Sequence, residues 1–428
     1  MHFKNAAGAL VALLGVVVSA ASHAEGVSCD AQVTRANIAV CALRASPAVV
    51  GERHGLAAIE GRRTAASLVF PSNPVLAVTV GRRSSPVEGN GVDWTATLSQ
   101  DIEIAGQRGA RLELVGAEHD AQRARLSGTQ REVAAAAYAV YFDALAALEE
   151  KKVADRLVDL GSALTRLAQG RAEQGVASDI EADLAYAAAT RLAQAQVTAQ
   201  RHVATTTATL AVALGLDPTK PRPTLEGDLE PLGAANMDAE SLVRFALAQR
   251  AELLVIDADR RALERRADLY RRSRVPNVTL SIFAISDRVN ERILGAGIAV
   301  PIPLPAPLGH TYAGEIAESE SLAHRAAAET DRLRRAVRLD VLASFENVAS
   351  RKREIALFSP ERIRRADAAL VAIARELEAK RIGVRDALLM QQGLVELLQA
   401  NVEARRQLCL ASVELARVSG MILERGAS

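Results

Sequence analysis

Past its N-terminus the chain has no run of 18 consecutive apolar residues, which excludes a transmembrane helix there. If the protein crosses a membrane, it does so as strands. It also lacks a charge excess: the formal net charge is +1, without the basic footprint of a nucleic-acid binder. Seven histidines, His2, His23, His54, His119, His202, His310 and His324, are scattered with no pair at metal-ligand spacing. No nucleophile elbow, phosphate loop or HExxH occurs, so neither an enzyme nor a cofactor or metal site is expected. A duct for metal ions need not bind them tightly, since tight sites slow release. Scarce Cys, His and Met is therefore compatible with metal export without indicating it. Aromatics are only 3% of the residues, low for a lipid-exposed surface. Proline is absent from Arg108 to Glu173, a run dominated by strong helix formers. In one path that run extends roughly 100 Å, too long for the inside of a compact domain.

At the N-terminus, Lys4 precedes the apolar run Leu10 to Ala20, and Ser22-His23-Ala24 supplies small residues at a cleavage site. Residues 1–24 read as a secretory signal peptide removed before Glu25. In an oxidising compartment Cys29 and Cys41 either form a disulfide or stay free, while Cys409 stands alone. Cys29 follows Gly-Val-Ser and lacks the Leu that normally precedes a lipid-modified cysteine.

Residues 30–69 have a helical pattern broken near Ser46-Pro47, with Pro71 and Pro74 ending it. Strands are expected at about 75–83 and 93–104. In the second, Trp94, Ala96, Leu98, Ile102 and Ile104 share one face, and Asp93, Thr95, Thr97, Ser99, Asp101 and Glu103 the other. The long helix from Gly106 stops at Gly175, and another runs from about Asp179 to Leu214, with Gly215 placed to cap it. Residues 216–236, rich in Pro and Gly, read as a linker.

The order then repeats. Ala42-Leu43 falls on Ala246-Leu247, Asn73-Pro74-Val75 on Pro276-Asn277-Val278, and Gly106 on Gly309. Gly175-Val176 falls on Gly383-Val384 after a small change of offset. The first unit is 25–215 and the second 237–420, with a tail at 421–428. Strands are expected at about 277–285 and 295–304, with Pro301 and Pro303 where the second leaves the sheet. A long helical run from Tyr312 to about Ile382 is interrupted near Phe358-Ser359-Pro360, and a last helix covers about Asp386 to Val418.

Each unit thus reads helix, strand, strand, long helix, helix. Four strands of about ten residues suit a tilted bilayer crossing, but the smallest closed barrels need about eight. Two or more copies would then share one barrel. The soluble alternative is a periplasmic coiled-coil structural protein with two hairpins at one end.

On Ser72-Asn73-Pro74, Leu98-Ser99-Gln100-Asp101-Ile102-Glu103 and Gln174-Gly175-Val176-Ala177-Ser178, the sequence resembles the TolC-like outer-membrane efflux proteins. The wording around Asn73-Pro74 and from Ser99 to Gly106 is most similar to the outer-membrane components of heavy-metal resistance pumps. The resemblance implies a mostly helical chain with membrane strands. It also implies a homotrimer whose twelve-stranded barrel continues into a periplasmic helical barrel. It implies a passive outer-membrane conduit for heavy-metal cations, served by a periplasmic adaptor and an inner-membrane pump of the RND type. Multidrug or type I protein-secretion channels are the alternatives within that fold.

Under the resemblance, Gly175, Ser178, Gly383 and Arg385 at the helix turns would contact the adaptor. The acids Asp179, Glu181, Asp183 and Asp386 just beyond those turns are candidates for the pore mouth. Helix-start chemistry alone accounts for Asp179 and Asp386; Asp183 does not need to serve it. Asp93, Asp101 and Glu103 would face the barrel lumen if Trp94, Leu98 and Ile102 face lipid.

Overall fold

A computed structural model describes residue 29 and residues 32–422, except 86–88, 218, 221–222, 287–291 and 306. The signal-peptide reading of 1–24 lies outside the described residues, as does most of the C-terminal tail. The chain opens with β1 (Gln32–Val33), α1 (Ile38–Ala45) and α2 (Pro47–Ala66), then β2 (Val75–Ser85) and β3 (Gly89–Ile102). The helices α3 (Gln107–Glu173) and α4 (Asp179–Ala213) follow, then β4 (Thr224–Leu225) and a short 3-10 turn at Gly233–Asn236. The second half holds α5 (Ala239–Gln249), α6 (Ala251–Ser273), β5 (Val278–Ser286), β6 (Arg292–Ala299), α7 (Ala313–Ala356), α8 (Pro360–Glu378) and α9 (Val384–Ser419).

With no proline to interrupt it, α3 runs unbroken for 67 residues, about 100 Å at the usual helical rise. Ala134, Ala137, Tyr138, Tyr141, Phe142 and Leu145 recur on one stripe and are buried against its neighbours. Those neighbours include α1, α4, α6 and α9. The matching run in the second half breaks where the sequence predicts. Ser359 caps α8 by accepting from the Arg362 amide, and Pro360 takes the first helical position, where its missing N–H costs nothing. No described helix is long and apolar enough to cross a membrane.

The four long strands form one antiparallel sheet in the order β2-β3-β5-β6, which leaves β2 and β6 as edges. The strand expected at about 295–304 instead occupies Arg292–Ala299. Pro301 and Pro303 cannot donate to a ladder, and the pairing stops at Ala299, opposite Thr279.

Residues 216–236 are more than a tether. β4 pairs in parallel with β1, Leu229 and Leu232 are buried, and the Leu232 amide donates to Ser412 Oγ at 2.8 Å. Tyr141 Oη donates to the Glu226 carbonyl at 2.7 Å. Residues 223–236 thus form a strap tied to α3 and α9, and Cys29 is joined by a disulfide to Cys41 of α1. Of the two sequence alternatives for this pair, the structure therefore has the bonded one, which leaves no Cys29 thiol for a lipid.

The duplication keeps a different frame from the one glycine matching suggests. Gly106, the left-handed residue before α3, corresponds to Tyr312 before α7, not to Gly309. Gly175 corresponds to Lys380, because both close their helices with the same pair of hydrogen bonds. Gly175 N–H bonds Ala172 O and Val176 N–H bonds Arg171 O; Lys380 N–H bonds Leu377 O and Arg381 N–H bonds Glu376 O. Tyr312 and Lys380 are the only described residues other than glycine with positive φ, at 54° and 59°.

Candidate functional site

Two places stand apart from the packed helices: the sheet, and the turns at the far end of the long helices. In the sheet the register puts Leu76, Val78 and Val80 on one face with Trp94, Ala96 and Leu98 of β3. Leu280, Ile282 and Ala284 of β5 continue that face, and Leu294, Ala296 and Ile298 of β6 complete it. It is open: Leu294 is 84% exposed and Ile298 74%. The opposite face carries Thr79, Asp93, Thr95, Thr97, Asp101, Thr279 and Ser281. Asp93 and Asp101 thus share the polar face, as the alternation predicts.

Asp101 accepts from Ser72 Oγ at 3.1 Å and from Thr279 Oγ1 at 2.6 Å. Glu103 lies beyond the end of β3 and is ion-paired with Arg111 of α3, so it serves the junction of strand and helix. The face of Asp101 also carries Val75, Ile285 and Ile293, and Phe283 too breaks its polar pattern. The Phe283 ring lies over Gly295, where a Cβ would come within 2.3 Å of it. The glycine opposite is the signal that explains this misfit in the alternation.

At the helix tips, Gly175 holds φ 70°, the left-handed conformation that glycine adopts without steric cost. Ser178 then caps α4. Its Oγ accepts from the Glu181 amide, and its own amide donates to the Glu181 carboxylate at 3.2 Å. Glu181 is therefore committed to a capping box. Gly383 differs from expectation: with φ −81° it is the extended N-cap of α9, equivalent to Ser178, and the left-handed role passes to Lys380. Glu181 and Asp386 are thus the equivalent acids of the two turns. Asp179, Asp183 and Asp386 are exposed, and none has an ion pair among the described residues. Arg385 is exposed on the rim of a cavity of about 390 Å³ between α4 and α9, which Leu184, Leu388 and Leu389 also line.

Three features of the tips were not singled out from sequence. Arg171 near the end of α3 donates to the carbonyls of Leu377 at 3.2 Å and Ile382 at 3.3 Å, tying one turn to the other. Ile180 is 71% exposed and Leu389 60%, giving the tips an apolar surface beside the acids. Gln391 is buried in the cavity wall with an Nε2 that has no hydrogen-bond partner. The exposed Ile180 and Leu184, one helical turn apart after Ser178, were a legible signal; the reach of Arg171 across the repeat was not.

Among the described residues no group of three or more His, Cys, Asp or Glu could hold a metal ion. Burial pushes the Cys409 thiol up to about 12, so at neutral pH it stays protonated and unreactive.

Residues 42–216 match the family described as outer membrane efflux protein. Over 249 residues the chain is 27% identical to Protein CyaE of Bordetella pertussis, and it spans about half of that protein's length (52%, against 56% of this chain). Among solved structures it is similar to the outer membrane protein VceC of Vibrio cholerae. That match has a TM-score of 0.67 at 16% identity and covers 90% of this chain and 95% of the other. The open state of the MtrE outer membrane channel of Neisseria gonorrhoeae gives a TM-score of 0.70 at 12% identity over 90% and 88%. Residues 42–216 are thus similar in sequence to outer membrane efflux proteins, and nine-tenths of the chain shares the fold of these outer-membrane channels.

Proposed function

We propose that three copies of this chain share one barrel of twelve strands, four from each, continuous with a periplasmic tunnel of long helices. The assembly would be a passive outer-membrane conduit of a tripartite efflux system. The observation that carries this reading is a sheet with one exposed apolar face and two unpaired edges, β2 and β6. In lipid an open edge leaves backbone groups unsatisfied at several kcal/mol each, so the edges need partners that the described residues do not supply. All strand pairs of this sheet are antiparallel, and joining β6 of one copy to β2 of the next keeps that alternation.

The helix tips, on this reading, meet a periplasmic adaptor through Gly175, Ser178, Gly383 and Arg385, with an RND-type inner-membrane pump behind it. The cargo is proposed to be heavy-metal cations. Asp179, Asp183 and Asp386 support this: carboxylates without ion pairs, repeated by symmetry around a narrow mouth, attract cations and repel anions. The test is a deletion strain complemented by wild-type protein or by Asp183→Asn/Asp386→Asn. Wild type should restore tolerance to divalent metal ions, and the variant should restore less at equal abundance. Restored tolerance to drugs alone would refute the cation reading and leave the conduit standing.

A further inference from the structure

Where helices meet sheet, three arginines are held by backbone carbonyls, beside Arg111 and Arg271, which meet carboxylates. Some arginines of the helices have a carboxylate: Arg62 meets Glu118 at 2.8 Å, Arg125 meets Asp259 at 2.7 Å, and Arg265 meets Glu113 at 3.1 Å. At the junction Arg108 donates to the Ser67 carbonyl at 2.9 Å, Arg272 to the Ala105 carbonyl at 3.4 Å, and Arg274 to the Thr311 carbonyl at 3.1 Å. Arg63, in the last turn of α2, is four residues before the Ser67 that Arg108 meets. None of these four exposed arginines has a carboxylate partner among the described residues. Three acids of the junction are already engaged: Asp101 by Ser72 and Thr279, Glu103 by Arg111, and Glu315 by His310.

Helix dipoles account for part of this arrangement only. Arg63 and Arg272 sit in the last turns of their helices and Arg274 is the C-cap of α6, where a cation is favoured. Arg108 is the second residue of α3, at the end where a cation is disfavoured, so its position calls for an anion from elsewhere. Immediately on the sheet side of Arg63 and Arg108 lie Leu68, Val69 and Phe70, which are 58%, 66% and 49% exposed. Along the molecule the order is therefore cations without counter-ions, then an apolar shelf, then the open apolar face of the sheet. A lipid leaflet presents phosphate, glycerol and acyl chain in that same order.

We propose that Arg63, Arg108, Arg272 and Arg274 form a collar that binds the phosphates of phospholipid headgroups in the periplasmic leaflet, preferring anionic lipids, with Leu68, Val69 and Phe70 seated at the acyl boundary. The proposal rests on the reading of the sheet as membrane-embedded. Charge complementarity and continuity with the apolar sheet face argue for lipid as the occupant, in preference to a second copy of the chain. Basic residues held at a leaflet surface attract anionic lipid by about fivefold in affinity each.

The test is native mass spectrometry of the full-length protein extracted in detergent and titrated with phosphatidylglycerol or phosphatidylcholine, with heat-modifiable migration and vesicle flotation run alongside. Each of Arg108→Gln, Arg272→Gln and Arg274→Gln should lower the phosphatidylglycerol-to-phosphatidylcholine affinity ratio about fivefold, while Arg125→Gln leaves it unchanged. A purely structural role at the junction would change binding of both lipids together and not their ratio. An unchanged ratio in all the variants, with wild-type insertion intact, overturns the collar alone. Wild-type protein that neither inserts nor shows heat-modifiable migration overturns the barrel reading and the collar with it. In the Trp94→Phe/Phe70→Trp protein, brominated lipid should quench the new tryptophan. Absence of quenching means that a second copy covers the shelf, and it overturns the lipid placement.

Discussion

Lys380 holds a left-handed conformation with φ 59° in the turn between α8 and α9, where the equivalent residue of the first repeat is Gly175. A residue with a Cβ costs about 1–2 kcal/mol in that conformation. Glycine also gains freedom when the turn opens, worth about 0.4–1 kcal/mol. Lys380→Gly should therefore stabilise the turn by a net amount on the order of 0.5–1 kcal/mol, a two- to fivefold change in the opening equilibrium. The reverse change, Gly175→Ala, meets no atom within 4 Å of the new Cβ, so it tests backbone strain with no clash added. Amide hydrogen exchange reads this locally, because the Arg381 amide bonds Glu376 O and the Val176 amide bonds Arg171 O in the two turns. In Lys380→Gly the Arg381 amide should exchange two- to fivefold more slowly. In Gly175→Ala the Val176 amide should exchange faster by a similar factor. Unchanged exchange in both variants would refute the strain argument and the pairing of these two positions.

Three further outcomes follow from the strap and the helix crossings. Cys29→Ser should loosen the N-terminal segment. Its disulfide closes a loop of sequence separation 12, an effect of about 2–3 kcal/mol that is readable as faster proteolysis on the N-terminal side of α1. Tyr141→Phe removes the bond to the Glu226 carbonyl from a side chain that is otherwise fully buried. It should cost about 1–2 kcal/mol and speed cleavage between residues 217 and 226, whereas unchanged cleavage would contradict the strap's anchoring. Hydrogen bonds from Arg417 hold the Glu414 carboxyl below its ordinary range despite the opposing effect of burial. Its contribution to stability is therefore present above the unfolded value near 4.3 and is lost as pH falls through the depressed folded value. Glu414→Gln should flatten the acid limb of a stability-against-pH curve.

Much of the architecture was legible because its signals are long. A proline-free run under one apolar stripe gives α3, and alternation over ten residues gives β3 with its two faces. Short signals failed for identifiable reasons. Glycine positions suggest the wrong frame for the second repeat, because Tyr312 and Lys380 occupy the left-handed positions there. Gly309 and Gly383 were therefore matched to the wrong partners, and the equivalence of Glu181 with Asp386 was hidden. Residues 216–236 have turn composition but no periodicity, and nothing local says that Leu229 and Leu232 will be buried. Of the tip residues, Ser178 announces its cap by the Glu181 three residues on. Arg171 gave no such sign, since its acceptors are backbone carbonyls in the other repeat.

The shared barrel is tested most directly by the mass of the detergent-extracted particle, measured together with the membrane fraction in which it is found. The account predicts an outer-membrane particle of three chains that dissociates on heating with a change in migration. A monomer in the soluble periplasmic fraction would contradict it, because a single chain leaves the edges of β2 and β6 open in lipid.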